Sequence, residues 1–319
     1  MTKSKLLIIL LFAAFIISGV VFAQRFSGRG GRGGGRGGGG RSRGQTRMPP
    51  QQFLDSRSGV PDWEVDKEFT KDVFTFVRIR YTSGYGGRGG RFDSYGGGPG
   101  GFGGRMRGGS GGGWRTDYPD SDLNFSFRLQ QLTSMEVNPD GLVLELTDPE
   151  LFDYPFIYIL EPGSLVFREE EVKALRRYLL NGGFLMIDDF WGRNEWYNIY
   201  YEMKRVFPEK EPVELTLDHP IFHCVFELKE MPQIPAIDHA VDRYTDTLTG
   251  RTTERSDAPK AIYYGIYDDK GRMMVIICRD TDLGDGWERE GESHAYFREF
   301  SEKKAYPLGI NIVFWAMTN

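Results

Sequence analysis

Apolar residues recur along this chain at two periods, and the period separates strands from helices. Residues 73–81 are β-branched and aromatic and predict a strand. Residues 142–146 predict a short second one. Residues 156–160 and 184–187 are apolar without interruption, as in parallel strands buried on both faces. Between these runs the spacing lengthens. Leu123, Phe125, Phe127, Leu129 and Leu132 predict a helix over 122–135, with Asp120 or Ser121 as its N-cap. Residues 168–181 form the clearest helix. Val172, Leu175, Leu179 and Leu180 make one apolar stripe, and Glu169, Glu170 and Glu171 suit the positive end of the helix dipole. Asn181-Gly182-Gly183 then ends it in left-handed backbone. Residues 195–207 predict a third helix, closed by Pro208. Residues 261–267 and 273–278 read as two strands joined by a turn at 268–272, and 306–317 as a terminal apolar helix.

Strand and helix alternate through the middle of the chain. That order predicts an α/β fold with a parallel sheet covered on both faces. The two late strands are expected to add an antiparallel hairpin at one edge.

Composition limits where the fold can begin. The 319 residues include 42 glycines, most of them in two blocks before Trp114. The first block, 28–44, repeats Arg-Gly-Gly; the second, 83–113, sets Tyr85, Tyr95 and Phe102 among its glycines. Glycine loses the most entropy on ordering, and neither block has an apolar period to offset the loss, so both are expected to be disordered. The expected organisation is a disordered Gly/Arg-rich tether over 24–61 and a single α/β domain over 62–319, with 83–113 as a disordered insertion at a surface loop. Residues 1–23 read as a signal peptide. Lys3 and Lys5 precede an apolar run over 6–21, and Val21 and Ala23 are small residues suited to a cut after Ala23. An uncleaved anchor helix is the alternative. The protein is therefore expected to be exported, to a periplasmic or extracellular location.

The net charge of −5 conceals an asymmetry. Between Arg25 and Arg115 there are 17 Lys and Arg against 7 Asp and Glu; from Thr116 onward there are 21 against 38. A basic arm precedes an acidic body. The arm is either a solvated tether or a segment that docks on an anionic surface. Arg-Gly-Gly tracts with aromatics can bind nucleic acid, but an exported chain seldom meets it, and nucleic acid is not expected as a partner. Cys224 and Cys278, the two cysteines, make no disulfide framework.

Candidate chemistry sits where ligands bind in open α/β sheets, outside the carboxyl ends of the strands. That rule selects Asp188-Asp189-Phe190-Trp191-Gly192, after the strand 184–187. The paired carboxylates could hold a cation or do acid–base work; the plainer alternative is that one caps the following helix and the other pairs with an arginine. His219, His223 and Cys224 group three metal-type ligands, but Pro220 breaks any helix that would align the histidines, and no second pair stands nearby. The run 280–286 resembles a calcium loop, with Gly284 and Asp285 where the helix-loop-helix frame wants a ligand and then glycine. That leaves an irregular calcium site or a polar turn around Asp282. There is no Gly-x-Ser-x-Gly elbow, no phosphate loop and no dinucleotide fingerprint between strand and helix.

Five runs, in order, resemble one family: 116–125, 146–164 around Asp148-Pro149-Glu150-Leu151-Phe152-Asp153-Tyr154-Pro155, 178–191, 217–224 and 281–288. Together they resemble domain-of-unknown-function family 4159, over about residues 73–319 apart from the glycine insertion. The resemblance implies similarity in fold to the class I glutamine amidotransferase-like group, a flavodoxin-like three-layer sandwich with a mostly parallel sheet. It assigns no catalytic residue. Enzymes of that fold group use a cysteine on a strand-to-helix elbow with a histidine partner. Cys278 ends a strand but is followed by Arg279-Asp280 without flanking glycine, so it is not expected to be a nucleophile.

The expected function is a non-catalytic binding or assembly domain of the cell envelope, with an envelope protein or an anionic polymer as partner and no cofactor. The alternative is a metal- or carboxylate-dependent hydrolase acting on an envelope polymer, with a divalent metal as its cofactor. The candidate pocket is Asp188, Asp189, Trp191, His219, His223 and Asp282. Convergence of these side chains would favour the hydrolase; scatter would favour the binding domain.

Overall fold

The computed structural model describes residues 59–65, 72–82 and 113–319. The expected leader, the tether up to residue 58 and the glycine-rich stretch 83–112 lie outside the described residues. In chain order the strands are β1 (Val77–Ile79), β2 (Leu142–Leu144), β3 (Phe156–Leu160), β4 (Phe184–Asp188), β5 (Val213–Leu215), β6 (Val241–Asp242), β7 (Thr247–Leu248), β8 (Ile262–Tyr267) and β9 (Met273–Arg279). Seven of them form one sheet in the order β2-β1-β3-β4-β9-β8-β5, and β6 and β7 form a separate ribbon. The first five in that order run parallel. β8 is antiparallel to β9, and β5 to β8. The fold is α/β with a mostly parallel sheet.

Alternation along the strands builds a core on each face. Phe156, Tyr158 and Leu160 of β3 enter one core, and Ile157 and Ile159 enter the other. The first core is closed by α1 (Asp120–Leu132) and by the C-terminal helices. The second is closed by α2 (Glu169–Leu180) and α3 (Gly192–Val206), through Leu175, Leu179, Ile199 and Met203. Each such fully buried side chain contributes roughly 1.5–3 kcal/mol of transfer free energy. The C-terminal part contains the short helices α4 (Ile237–Ala240), α5 (Leu283–Glu288) and α6 (His294–Tyr296), then a π-helical stretch, Phe297–Ala305, leading into α7 (Tyr306–Thr318). Among the described residues, no helix is long and apolar enough to cross a membrane.

Four local expectations need correction. The late hairpin is not simply added at an edge, because β9 pairs in parallel with β4 inside the sheet. β5 was not foreseen; it is three residues long, with Val213 and Glu214 exposed, so it carries little apolar signal. Helix α1 is not capped by Asp120 or Ser121, which are its first two residues. Pro119, after a cis peptide bond, takes the cap position without a side-chain cap. Helix α3 begins at Gly192, three residues before its apolar pattern, and is entered through left-handed backbone (φ 78°).

Candidate functional site

Three neighbouring parallel strands end in the same way. Leu160 of β3 is followed by Glu161 (φ 46°), Asp188 of β4 by Asp189 (φ 54°), and Arg279 of β9 by Asp280 (φ 60°). Left-handed backbone at a side chain with a Cβ costs roughly 1–2 kcal/mol, and such strain gathers at functional positions. Here it turns the chain off each strand and leaves acidic side chains at the carboxyl end of the sheet.

A fourth acidic residue in left-handed backbone, Asp117 (φ 60°), comes from the loop before α1. Arg78 of β1 sets that loop. Its guanidinium is fully buried, pairs with Asp122, and donates to Ser121 Oγ at 2.8 Å, to the Trp114 carbonyl at 3.0 Å and to the Thr116 carbonyl at 2.9 Å. It also lies 5.2 Å from the centre of the Tyr158 ring. Asp117 is thereby held over the start of α5. There Asp282 caps the helix by accepting from the Asp285 N–H at 2.7 Å, and Asp285 accepts from the Ile237 N–H at 2.6 Å and from Arg289 Nε at 3.1 Å. One carboxylate oxygen from each of Asp117, Asp282 and Asp285 lies within 4.8 Å of the others, and all three residues are buried.

Asp188 stands beside this trio. Its Oδ2 accepts from Tyr158 Oη at 3.0 Å and from the Leu283 and Gly284 N–H groups at 2.9 and 3.2 Å, while its Oδ1 has no hydrogen-bond partner among the described residues. Burial pushes its pKa up to about 7 against these bonds. Asp117, Asp189 and Asp282 are raised well above the ordinary carboxylate range, first by burial and then by neighbouring carboxylates. Burial and neighbouring acids also lift Glu254, whose Oε1 accepts from the Ala236 N–H at 2.7 Å, to about 7. Acidic groups therefore outnumber the nearby guanidiniums here, and burial with mutual repulsion favours their protonated forms. Arg78 is committed to Asp122, and Arg289 is shared among Asp285, Glu288 and Glu292.

The structure divides the sequence-predicted pocket in two. Asp188, Asp189 and Asp282 come together at the carboxyl end of the sheet. Trp191 is buried with them, its indole donating to Asp189 Oδ1 at 3.2 Å. His219 and His223 do not join them. His219 Nε2 lies 3.3 Å from the hydroxyl of Tyr267, whose partner Met273 opens β9, at the amino end of the parallel strands. At about 3.3 Å per residue, the length of β9 separates the two groups by about 20 Å. His219 Nδ1 accepts from the Ile221 N–H at 3.2 Å and His223 Nε2 contacts the Leu217 carbonyl at 2.5 Å, so this motif is a hydrogen-bonded turn. Both cysteines are free thiols.

The helix-cap alternative for the Asp188–Asp189 pair is also revised. Asp188 ties down α5, not the helix that follows it. The first N–H of α3 is taken by Asp280 Oδ1 at 2.7 Å, and that of Trp191 by Glu195 Oε2 at 2.8 Å. Asp117, Glu161 and Glu254 were missed, because only the fold gathers them, and Asp285 was read only as a misfit to the calcium frame. The one available signal was the calcium-like run 280–286, which supplies Asp282 and Asp285. Beside the centre, Glu288 lines a cleft of about 470 Å³ with Asp120, Asn124, Phe127, Glu290 and Glu292.

No curated protein matches this chain. A family model described as "Domain of unknown function (DUF4159)" matches residues 104–317. That span takes in β2 to β9 and all four of the residues Asp117, Asp188, Asp282 and Asp285, while β1 with Arg78 lies ahead of it. With about two thirds of its length matched, the chain belongs to this family.

Proposed function

We propose that this is an exported binding or assembly domain that works through the acidic centre, where it receives positive charge from a ligand or partner. The observation that carries the reading is the convergence of Asp117, Asp282 and Asp285 within 4.8 Å in buried surroundings. Buried carboxylates without sufficient counter-charge need protons or a positive partner. Of the two partner classes expected from the sequence, a buried acidic centre suits a protein that inserts a cationic side chain and disfavours an anionic polymer. The position of the centre, at the carboxyl ends of parallel strands, supports grouping the fold with the flavodoxin-like, class I glutamine amidotransferase-like sandwiches. Cys278, near the end of β9, is fully buried and burial pushes its thiol pKa up, which does not favour a nucleophile at that position.

Thermal melts of the full chain in EDTA test the reading. A divalent salt, spermidine or an oligo-arginine peptide should raise Tm, by about 2–4 °C for each kcal/mol of binding free energy. A polyanion should not, and Asp282→Asn should erase the rise. If no positively charged species moves Tm, the reading fails.

Asp188 favours a second reading, the metal- or carboxylate-dependent hydrolase. Its Oδ1 is unpartnered, and a pKa of about 7 suits a general base. Chromogenic ester, phosphoester and glycoside substrates should then turn over, with Asp188→Asn reducing kcat by about 10²–10⁴-fold. Turnover no greater than in that variant dismisses it.

A further inference from the structure

The three carboxylates of the trio are not equally satisfied. Asp285 accepts hydrogen bonds at both oxygens, and Asp282 Oδ1 accepts one. Asp117 Oδ2 accepts none among the described residues, although it is enclosed by protein and Asp117 is only 8% exposed. An enclosed carboxylate oxygen without a donor is costly, and in folded proteins such groups are paired or coordinate metals. The local backbone is shaped to admit this oxygen. A Cβ on Gly284 would stand 2.6 Å from Asp117 Oδ2 and 3.2 Å from Tyr158 Oη, so a side chain at position 284 would take the space the oxygen occupies.

We propose that Asp117, Asp282 and Asp285 bind one hard divalent cation of the calcium, magnesium or manganese class. This rests on the reading of the acidic centre as a receptor for positive charge, and names the charge. The donor set is all oxygen, with neither histidine nor cysteine, which suits those ions over zinc or copper. The ligands come from two segments far apart in sequence, the loop before α1 and the first turn of α5, so the ion ties the loop to the helix. The run 280–286 then contributes two ligands through a helix cap and a first-turn side chain, a geometry unlike the helix-loop-helix calcium frame.

The test uses the full chain, stripped with EDTA and titrated separately with calcium, magnesium and manganese chlorides by calorimetry. One ion per chain is expected for at least one of the three, weakened at least tenfold in Asp117→Asn and in Gly284→Ala. Gly284→Ala removes no charge, so it separates a shaped site from general attraction to acidic surface. Asp120→Asn, in the neighbouring cleft, should leave binding unchanged. Terbium luminescence sensitised by Trp287 of α5 gives a readout in the unmodified protein. Emission should saturate at one ion per chain and fall when the tightest-binding of the three ions is added. If none of the three binds the wild-type chain at 1 mM, the proposal is overturned. Several ions per chain with affinity unaltered in folded Asp117→Asn and Gly284→Ala would overturn it too. If spermidine or the arginine peptide still raises Tm while no metal binds, the cation assignment falls and the acidic-centre reading stands. If neither binds, both fall.

Discussion

Arg78→Met is expected to lower the unfolding free energy by about 3–5 kcal/mol, the usual cost of removing one partner of a buried ion pair. The cost follows from what is left behind. Asp122 would remain buried without its guanidinium, and Ser121 Oγ and the carbonyls of Trp114 and Thr116 would lose their donor. Burial works against the charge on Arg78, and Asp122 outweighs it, raising the guanidinium pKa above its ordinary value. The loop held by those carbonyls carries Asp117, so the same variant should also weaken cation binding. Urea denaturation measures the first effect and calorimetric titration the second. The double variant Arg78→Met/Asp122→Leu should regain part of the stability, because it leaves no charge behind. A loss below about 1 kcal/mol in the single variant would contradict the account, since that is the range of a surface pair.

In EDTA, stability is expected to fall as pH rises from 5 to 8. Asp188 and Glu254 hold their protons in the folded state up to about pH 7, above their ordinary values of 3.8 and 4.5. A group raised in this way stabilises the fold fully below its unfolded pKa, and that contribution is lost as pH rises through the folded one. Between pH 5 and 8 Asp188 alone accounts for about 3 kcal/mol of that loss, because its folded pKa of about 7 lies two units above the start of the window and a tenfold change in proton affinity is worth roughly 1.4 kcal/mol. Asp117, Asp189 and Asp282, raised by burial and by neighbouring carboxylates, add in the same direction. His219 and His239, whose pKa values are lowered by burial, act in the opposite sense, since their contribution is lost as pH falls. They are two partly exposed imidazoles against a buried carboxylate cluster, so the carboxylates dominate. Urea midpoints at half-unit steps of pH check this. A midpoint that rises or stays flat across the window would mean that the carboxylates are solvated. A saturating divalent cation should flatten the fall, because it replaces the protons.

The histidines show why motif proximity misled. His219, His223 and Cys224 are close in sequence, but Pro220 and the hydrogen-bonded turn fix them at the amino end of the sheet. Asp188 and Asp189 were legible for the opposite reason. The rule that ligands gather at the carboxyl ends of parallel strands needs only a strand boundary, and the apolar run 184–187 supplied one. Arg78 was not legible. In an alternating strand it reads as a solvent-facing residue, and only the folded loop that wraps it converts it into a buried anchor.

By itself the sequence determined the elements whose periodicity is strong: strands β3 and β4, helix α2 with its glycine exit, and the α/β alternation that makes most of the sheet parallel. Those follow from local burial and backbone preference, which act over a few residues. Only the tertiary structure decided that β9 lies against β4, that Asp117 meets Asp282 and Asp285 from more than half the chain away, and that their carboxylates are buried together. Such contacts depend on loop closure and on the summed packing of distant segments, and no local pattern in the sequence records them.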